Sequence, residues 1–532
     1  MNKVKYTLIA SILFSTVFTN NVFARELNTH STETKIGANN NNNEVYWNDT
    51  GLDYYDKYDY DKAIECFNKA LEINPKYSLA YYNLGIVYNK KKDYDKAVSS
   101  YKKAIELSPK DAKSYNNLGL IYYNNKETEK AIGMYKKALE VDPNYSYSYN
   151  NLGNVYFDNY DYDKAIEVYK KASDVNPANA LAYSNLCNAY NMQKKSDLAI
   201  ESCKKSILLN SKDPITYSNL GDAYKNKYDF QSAITEYLKS IELEPADAIT
   251  WEHLAYSYSG NFQYDKAENA YKKTLELNPN SYTAYNDLGF VYEKQMLFDK
   301  ALESYKTAIK INPKAAISYY NIGNLNYSKR DYLSAIEAYK KAVEINSKYV
   351  DAYNNLGNAY DAQKDYKNAV EAYKKSIAID PSNADSYYNL GNTYNHSNDY
   401  DKAIESFKMS INLAPNYADV NNNLGLAYYK KKDYDKALPY YEAAIKIDPY
   451  YYISHNNIGL LYYDKKEYDK AIESYQKAIE VFPEYALAYD NLGLAYEAKK
   501  EFKFAIEMYK KALQYDPYNT SIKAHLNRLE SK

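Results

Sequence analysis

Cysteine, tryptophan and histidine are scarce in this 532-residue chain, with three, two and five residues. Cys66, Cys187 and Cys203 are too few for a disulfide scaffold, and no pair has the spacing of metal ligands. None of His30, His253, His396, His455 and His525 lies within a helical turn of another histidine or a cysteine. No metal site is therefore expected. Charge of one sign is missing too: 67 Lys and Arg face 69 Asp and Glu, a formal net charge of -2. A nucleic-acid binder needs a basic face, so nucleic acid is not an expected partner. There is no glycine-rich phosphate loop and no nucleophile motif. The aspartate pairs of the recurring Asp-Tyr-Asp segments lack the spacing and the glycine of a calcium loop. No catalytic residue and no cofactor is assigned, and the chain is not expected to be an enzyme.

Long apolar runs are absent except near the start. Lys3 and Lys5 precede an apolar stretch from Tyr6 to Phe18, and Val22 and Ala24 fit a cleavage site before Arg25. Residues 1–24 read as a signal peptide, with an uncleaved anchor as the alternative. The stretch is short for a bilayer span, so the mature chain is expected to be exported without a membrane span, to a periplasmic, cell-surface or secreted location. Residues 25–43 end in the run Asn39 to Asn43 and read as a disordered leader.

What is abundant is tyrosine, 70 residues against 13 Phe. A core built on tyrosine must bring its hydroxyls to water or to a partner. What is ordered is proline. Pro75, Pro109, Pro143 and Pro177 stand 34 residues apart, and the series continues through Pro245, Pro279, Pro313, Pro381, Pro415, Pro449, Pro483 and Pro517, interrupted only by Ser211 and Ser347. Such a period is the mark of a repeat array. With Glu44 as position 1, fourteen repeats run without insertion over 44–519.

Positions 4, 7, 8 and 11 have the spacing of one helix face, and positions 20, 21, 24, 27 and 28 that of a second. Position 8 is Gly in twelve repeats, position 20 is Ala in all fourteen, and position 24 is Tyr or Phe in thirteen. Small residues let the two helices approach while aromatics fill the flanks. Asp-Tyr-Asp-Lys, as at Asp59 to Lys62, supplies the turn and an N-cap. Proline at position 32 ends the second helix. One hairpin cannot bury its apolar face alone, so neighbours must stack.

These residues resemble the tetratricopeptide repeat (TPR) pattern over 44–519. The resemblance implies an all-α TPR solenoid, a right-handed superhelix of helix–turn–helix repeats with the first helices lining its concave side. After Asn519, Thr520 is expected to cap a last helix over 520–532 with Ile522, Leu526 and Leu529 on one stripe.

Position 6 carries the candidate site. It is Asn in eleven repeats, although Asn is a poor helix-interior residue. Asn83, Asn117, Asn151, Asn185 and Asn219 form one series; Asn321, Asn355, Asn389, Asn423, Asn457 and Asn491 form another. His253 and Asp287 stand between them. The series resembles the asparagine ladder with which the TPR superhelix of O-GlcNAc transferase grips extended peptide backbone. Helices lie ~8–10 Å apart and an extended peptide advances ~3.3 Å per residue, so one amide per roughly three residues stays in step. The bland alternative is that these amides bond only within the solenoid. The lysine of a co-chaperone carboxylate clamp never occurs at position 5. The expected function is therefore an exported scaffold binding extended polypeptide segments, with a cell-envelope carbohydrate-binding module as the alternative.

Departures from the pattern cluster in repeats five to seven. Cys187 replaces the position-8 glycine and Cys203 the position-24 aromatic of the same repeat. These positions face each other across the helix pair, so the two are expected to be neighbours, either bonded as a disulfide or as two small buried thiols.

Overall fold

The computed structural model describes residues 43–531. The expected signal peptide lies outside the described residues, as does the expected leader except for Asn43. Twenty-nine helices run from α1 (Glu44–Asp56) to α29 (Thr520–Glu530), with no strand among the described residues. Odd-numbered helices up to α27 (Ala486–Ala498) are the first helices of the fourteen repeats, and even-numbered ones the second.

Each hairpin is built from the same few contacts. In repeat two, a Cβ added to Gly85 would lie 2.6 Å from the ring of Tyr101, so a larger residue there would have to displace the aromatic of the second helix. Ala97 is fully buried beside it. In eight repeats the second helix opens on an aspartate cap, as where Asp93 accepts from the Lys96 amide at 3.3 Å. The Lys96 ammonium then reaches the Asp93 carboxylate at 3.0 Å and sits over the Tyr88 ring at 5.4 Å. That exposed pair contributes little to stability on its own; its role is to close the turn.

The turn itself holds a feature the sequence hid. Position 15 has positive φ in all fourteen repeats, between 57° at Lys194 and 65° at Lys500, and none of these residues is glycine. Tyr58 N bonds to Tyr55 O and Asp59 N to Tyr54 O, both at 2.9 Å, the double closure of a helix C-terminus that normally favours glycine. The next helix starts at once and over-determines the conformation.

Tyrosine hydroxyls are satisfied by position 9 of the partner helix. Tyr169, Tyr339 and Tyr373 donate to Asn154, Asn324 and Asn358, each at 2.7 Å. Where position 9 is Ile86, Leu120 or Leu426, the hydroxyls of Tyr101, Tyr135 and Tyr441 are buried without a partner.

The last helix differs from expectation in one detail. Asn519, not Thr520, is the N-cap of α29, its Oδ1 accepting from Ser521 and Ile522 at 3.1 and 3.2 Å. The shorter Asx geometry wins, and Thr520 becomes the first helical residue. Ile522 and Leu529 are buried against the preceding repeat.

The described residues form two compact units, divided between Val291 and Tyr292. Within each, first helices of successive repeats touch one another, whereas second helices meet only the first helices on either side. The first helices therefore line the inner side of each unit, and position 6 lies on them.

Candidate functional site

Every asparagine of the expected ladder sits on a first helix, and most are tied to the preceding repeat. In five of them the Nδ2 reaches position 5 of that repeat. Asn83 donates to Asn48 at 2.8 Å, Asn117 to the Tyr82 hydroxyl at 3.3 Å, and Asn151 to Asn116 at 2.9 Å. Asn457 and Asn491 donate to Asn422 and Asn456, both at 2.9 Å. In three others the Nδ2 reaches position 9: Asn185 to Asn154 at 3.4 Å, Asn355 to Asn324 and Asn423 to Asn392 at 2.9 Å. Asn355 and Asn423 also reach the hydroxyls of Tyr320 and Tyr388, at 3.1 and 3.3 Å.

Two members behave differently. The backbone carbonyl of Asn219, rather than its side chain, accepts from the Asn191 amide at 2.7 Å. Asn389 takes part in no side-chain hydrogen bond and instead lines a polar cavity. Asn321 occupies the same position of α17 (Ala316–Ser328) and is half-buried.

The consequence is chemical. An amide anchored through Nδ2 is fixed in orientation, and in Asn151, Asn457 and Asn491 the carbonyl Oδ1 is the end left for a ligand. At these three places position 6 serves the solenoid with its donor and keeps an acceptor free, whereas the Oδ1 atoms of Asn117, Asn355 and Asn423 accept from Asn116, Asn358 and Asn422. The sequence reading missed the partners at positions 5 and 9. Their signal was present, since Asn recurs there as Asn48, Asn116, Asn422 and Asn456, and as Asn154, Asn324 and Asn392.

Between the two ladders the chemistry changes from amide to charge. Asp222, at position 9 of repeat six, gathers His253 Nδ1 at 3.0 Å, Lys225 Nζ at 2.6 Å and the Tyr237 hydroxyl at 2.7 Å. Burial works against its ionised form, but His253 and Lys225 outweigh it and hold the carboxyl far below the usual range. In repeat eight Asp287 has the reverse fate: burial pushes it up to about 7, with nearby Glu252 adding to the effect and Asn286 opposing it.

The departures of repeats five to seven are accommodated locally. A disulfide joins Cys187 on α9 (Ala180–Met192) to Cys203 on α10 (Ser196–Leu209), with Cα atoms 5.2 Å apart. Cys66 is free and buried. Pro214, displaced from the comb, starts α11 (Pro214–Asn226) behind the Asp213 cap, where a missing N–H costs nothing. Gly260 is the last residue of α13 (Ala248–Gly260), and a Cβ there would lie 2.6 Å from the Phe230 ring. Among the described residues no group of His, Cys, Asp and Glu could hold a metal ion. No described helix is long and apolar enough to cross a membrane.

Family models described as tetratricopeptide repeat or TPR repeat match nearly the whole array. They cover 51–126 in two overlapping matches, 154–194, 298–364 in two, and 391–432. Others cover 112–145, 350–383 and 418–451; 134–167, 270–303 and 372–405; 215–281 in two matches; and 450–517. The chain belongs to the tetratricopeptide repeat family. Among solved structures, this TPR chain is similar to that of the APC/C hetero-tetramer Cut9-Hcn1 at 18% identity and TM-score 0.41, covering 91% of this chain and 96% of that one. It is similar to yeast Tom70 at 19% identity and TM-score 0.36, covering 81% and 97%. MamA is 31% identical over 31% of this chain and 96% of its own, with TM-score 0.29. No curated protein matches the sequence. A TPR array of this kind is a protein-interaction scaffold.

Proposed function

We propose that this TPR protein is an exported scaffold that binds extended polypeptide along the inner face of its first helices. The observation that carries the reading is the anchored amide. Asn151, Asn457 and Asn491 each spend Nδ2 on the preceding repeat, which leaves a pre-oriented Oδ1, and those of Asn457 and Asn491 stand one repeat apart. With helices ~8–10 Å apart and ~3.3 Å per extended residue, such acceptors meet about every third backbone N–H. Export rests on the basic and apolar amino-terminal pattern, with cleavage before Arg25. The Cys187–Cys203 disulfide suits an oxidising compartment.

The anchoring alters how the ladder must be tested. Replacing Asn423 by Ala would leave the Asn392 acceptor unpaired, so stability falls along with any binding. The ligand is the better place to intervene. A panel of unstructured 15-residue peptides is titrated against the full chain, each beside a copy N-methylated at every third backbone nitrogen. Binding that disappears on N-methylation is the expected result. Peptides that bind equally well when methylated, or a chain that binds envelope polysaccharide and no peptide, would overturn the proposal. Amino-terminal sequencing of the protein recovered from the producing cell tests export; a chain retained inside with Met1 intact refutes it.

A further inference from the structure

Between repeats ten and eleven the ladder face opens into a polar cavity of about 270 Å³. Asn358 and Asp361 of α19 (Val350–Ala362), Tyr373 of α20 (Tyr366–Ile379), and Asn389, Thr393 and His396 of α21 (Ala384–His396) line it. Sites for drug-sized ligands run to roughly 300–1,000 Å³, so this one has room for a single side chain.

Three lining positions depart from their usual role in the array. Position 10 is Ala, Val, Ile or Leu in eleven repeats and Thr only in repeat eleven. Thr393 is fully buried, and its hydroxyl makes no hydrogen bond. Ser257, the other hydroxyl at this position, is satisfied by the His253 carbonyl at 2.9 Å. A valine at 393 would fill the same volume without the unmet polar group, so packing does not explain the threonine. Position 12 is Asp only in repeat ten, where Asp361 faces His396 Nδ1 at 2.9 Å. Asn389, like Asn219, does not spend its amide on the preceding repeat, and it lines this cavity.

Asn392 and Asn423 complete the lining and bond to each other at 2.9 Å, and several acceptors gather around the one carboxylate. The Tyr373 hydroxyl gives its proton to Asn358 Oδ1 at 2.7 Å and presents lone pairs. Thr393 Oγ1, Asn389 Oδ1 and the Asp361 carboxylate add acceptors at different heights, with one negative charge among them. The complement of several acceptors around one carboxylate is a planar cation with several N–H groups, which is a guanidinium.

We propose that this cavity is a specificity pocket that takes one arginine side chain of the bound polypeptide. Asp361 pairs with the guanidinium, while Thr393 and Asn389 accept from its remaining N–H groups. His396, whose side chain is 54% exposed, yields its place on the carboxylate. The proposal rests on the polypeptide-binding reading above and adds a residue preference to it.

The test has two arms. Full-length protein carrying ¹³C-labelled histidine is titrated with N-acetyl-arginine amide, using N-acetyl-norleucine amide as the control. A resonance shift confined to His396, seen only with the arginine compound and lost in Asp361→Asn, is expected. In the second arm, 15-residue peptides with Arg, Lys, Gln or Leu at one site are compared. Arginine should bind about tenfold tighter, from a charge-assisted hydrogen bond, with the preference lost in Asp361→Asn and reduced in Thr393→Val. Thr393→Val also guards against a folding artefact, since it should leave the thermal midpoint equal or higher. Peptide binding with no arginine preference overturns the pocket and leaves the groove intact. If no peptide binds, the groove reading fails and the first arm decides the pocket: an unmoved His396 resonance overturns it too.

Discussion

Asp287 gives the sharpest energetic consequence of the structure. It takes position 6 of repeat eight, on α15 (Tyr282–Lys294), where eleven other repeats carry asparagine. Burial raises its carboxyl to about 7 from an ordinary 3.8. Glu252, held by Ser281 and Thr283 hydroxyls at 3.1 and 2.7 Å, contributes a second nearby negative charge. A protonated carboxyl has nearly the shape of an asparagine amide, so the neutral form restores the ladder and the ionised form breaks it. Between about pH 4 and pH 7 the folded chain holds a proton that the unfolded chain has lost, so stability falls as pH rises across that window and is level above it. A shift of that size corresponds to at most about 4 kcal/mol. Asp287→Asn should therefore flatten the dependence, matching the wild type near pH 5 and exceeding it at pH 8 by roughly 2–4 kcal/mol. Repeat arrays open locally, so the assay is hydrogen exchange over α14 (Tyr264–Leu277) and α15, corrected for intrinsic rates, at pH 5 to 8. A variant that keeps the wild-type slope, or that is less protected at pH 8, would refute the reasoning.

Two further changes separate packing from hydrogen bonding. Tyr441→Phe removes a buried hydroxyl with no partner and should raise stability by about 1 kcal/mol, whereas Tyr169→Phe leaves Asn154 only the long 3.4 Å contact from Asn185 and should lower it by a similar amount; urea midpoints of the two variants should move in opposite directions. Pro439 lies exposed inside α24 (Tyr434–Ile447), where it offers no N–H to the Asp435 carbonyl, so Pro439→Ala should gain on the order of 1–3 kcal/mol, read as a higher thermal midpoint; an unchanged midpoint would show that the helix had already absorbed the defect.

The hairpins were legible because each depends on residues that recur at fixed positions. Gly85 against Tyr101 and the cap of Asp93 on Lys96 follow from spacing alone. The left-handed residue at position 15 was not legible. Tyr58, Phe262 and Met296 carry none of the glycine signal that such a turn usually leaves, because the helices on both sides hold the conformation in place. Nor could periodicity show that Asn519 rather than Thr520 would cap the final helix, since both residues have the chemistry and only the chain path selects one.

The ladder was half legible, for a physical reason that reaches beyond it. Position 6 read alone suggests an amide facing a ligand; its hydrogen bond is settled 35 or 31 residues earlier, at positions 5 and 9 of the preceding repeat. The same pairwise rule governs the tyrosine hydroxyls. Asn154 satisfies Tyr169, while Leu120 and Leu426 leave Tyr135 and Tyr441 without a partner. A repeat array is thus constrained in pairs, and a polar substitution is neutral only when its partner changes with it. Unpaired tyrosines can be explained by the packing their rings supply, since each ring fills the space over a glycine. Thr393 has no such excuse, because valine would match its shape and its hydroxyl has no hydrogen-bond partner in the protein. That asymmetry is why the pocket of repeats ten and eleven, rather than the ladder as a whole, is where the chain most clearly departs from what folding alone requires.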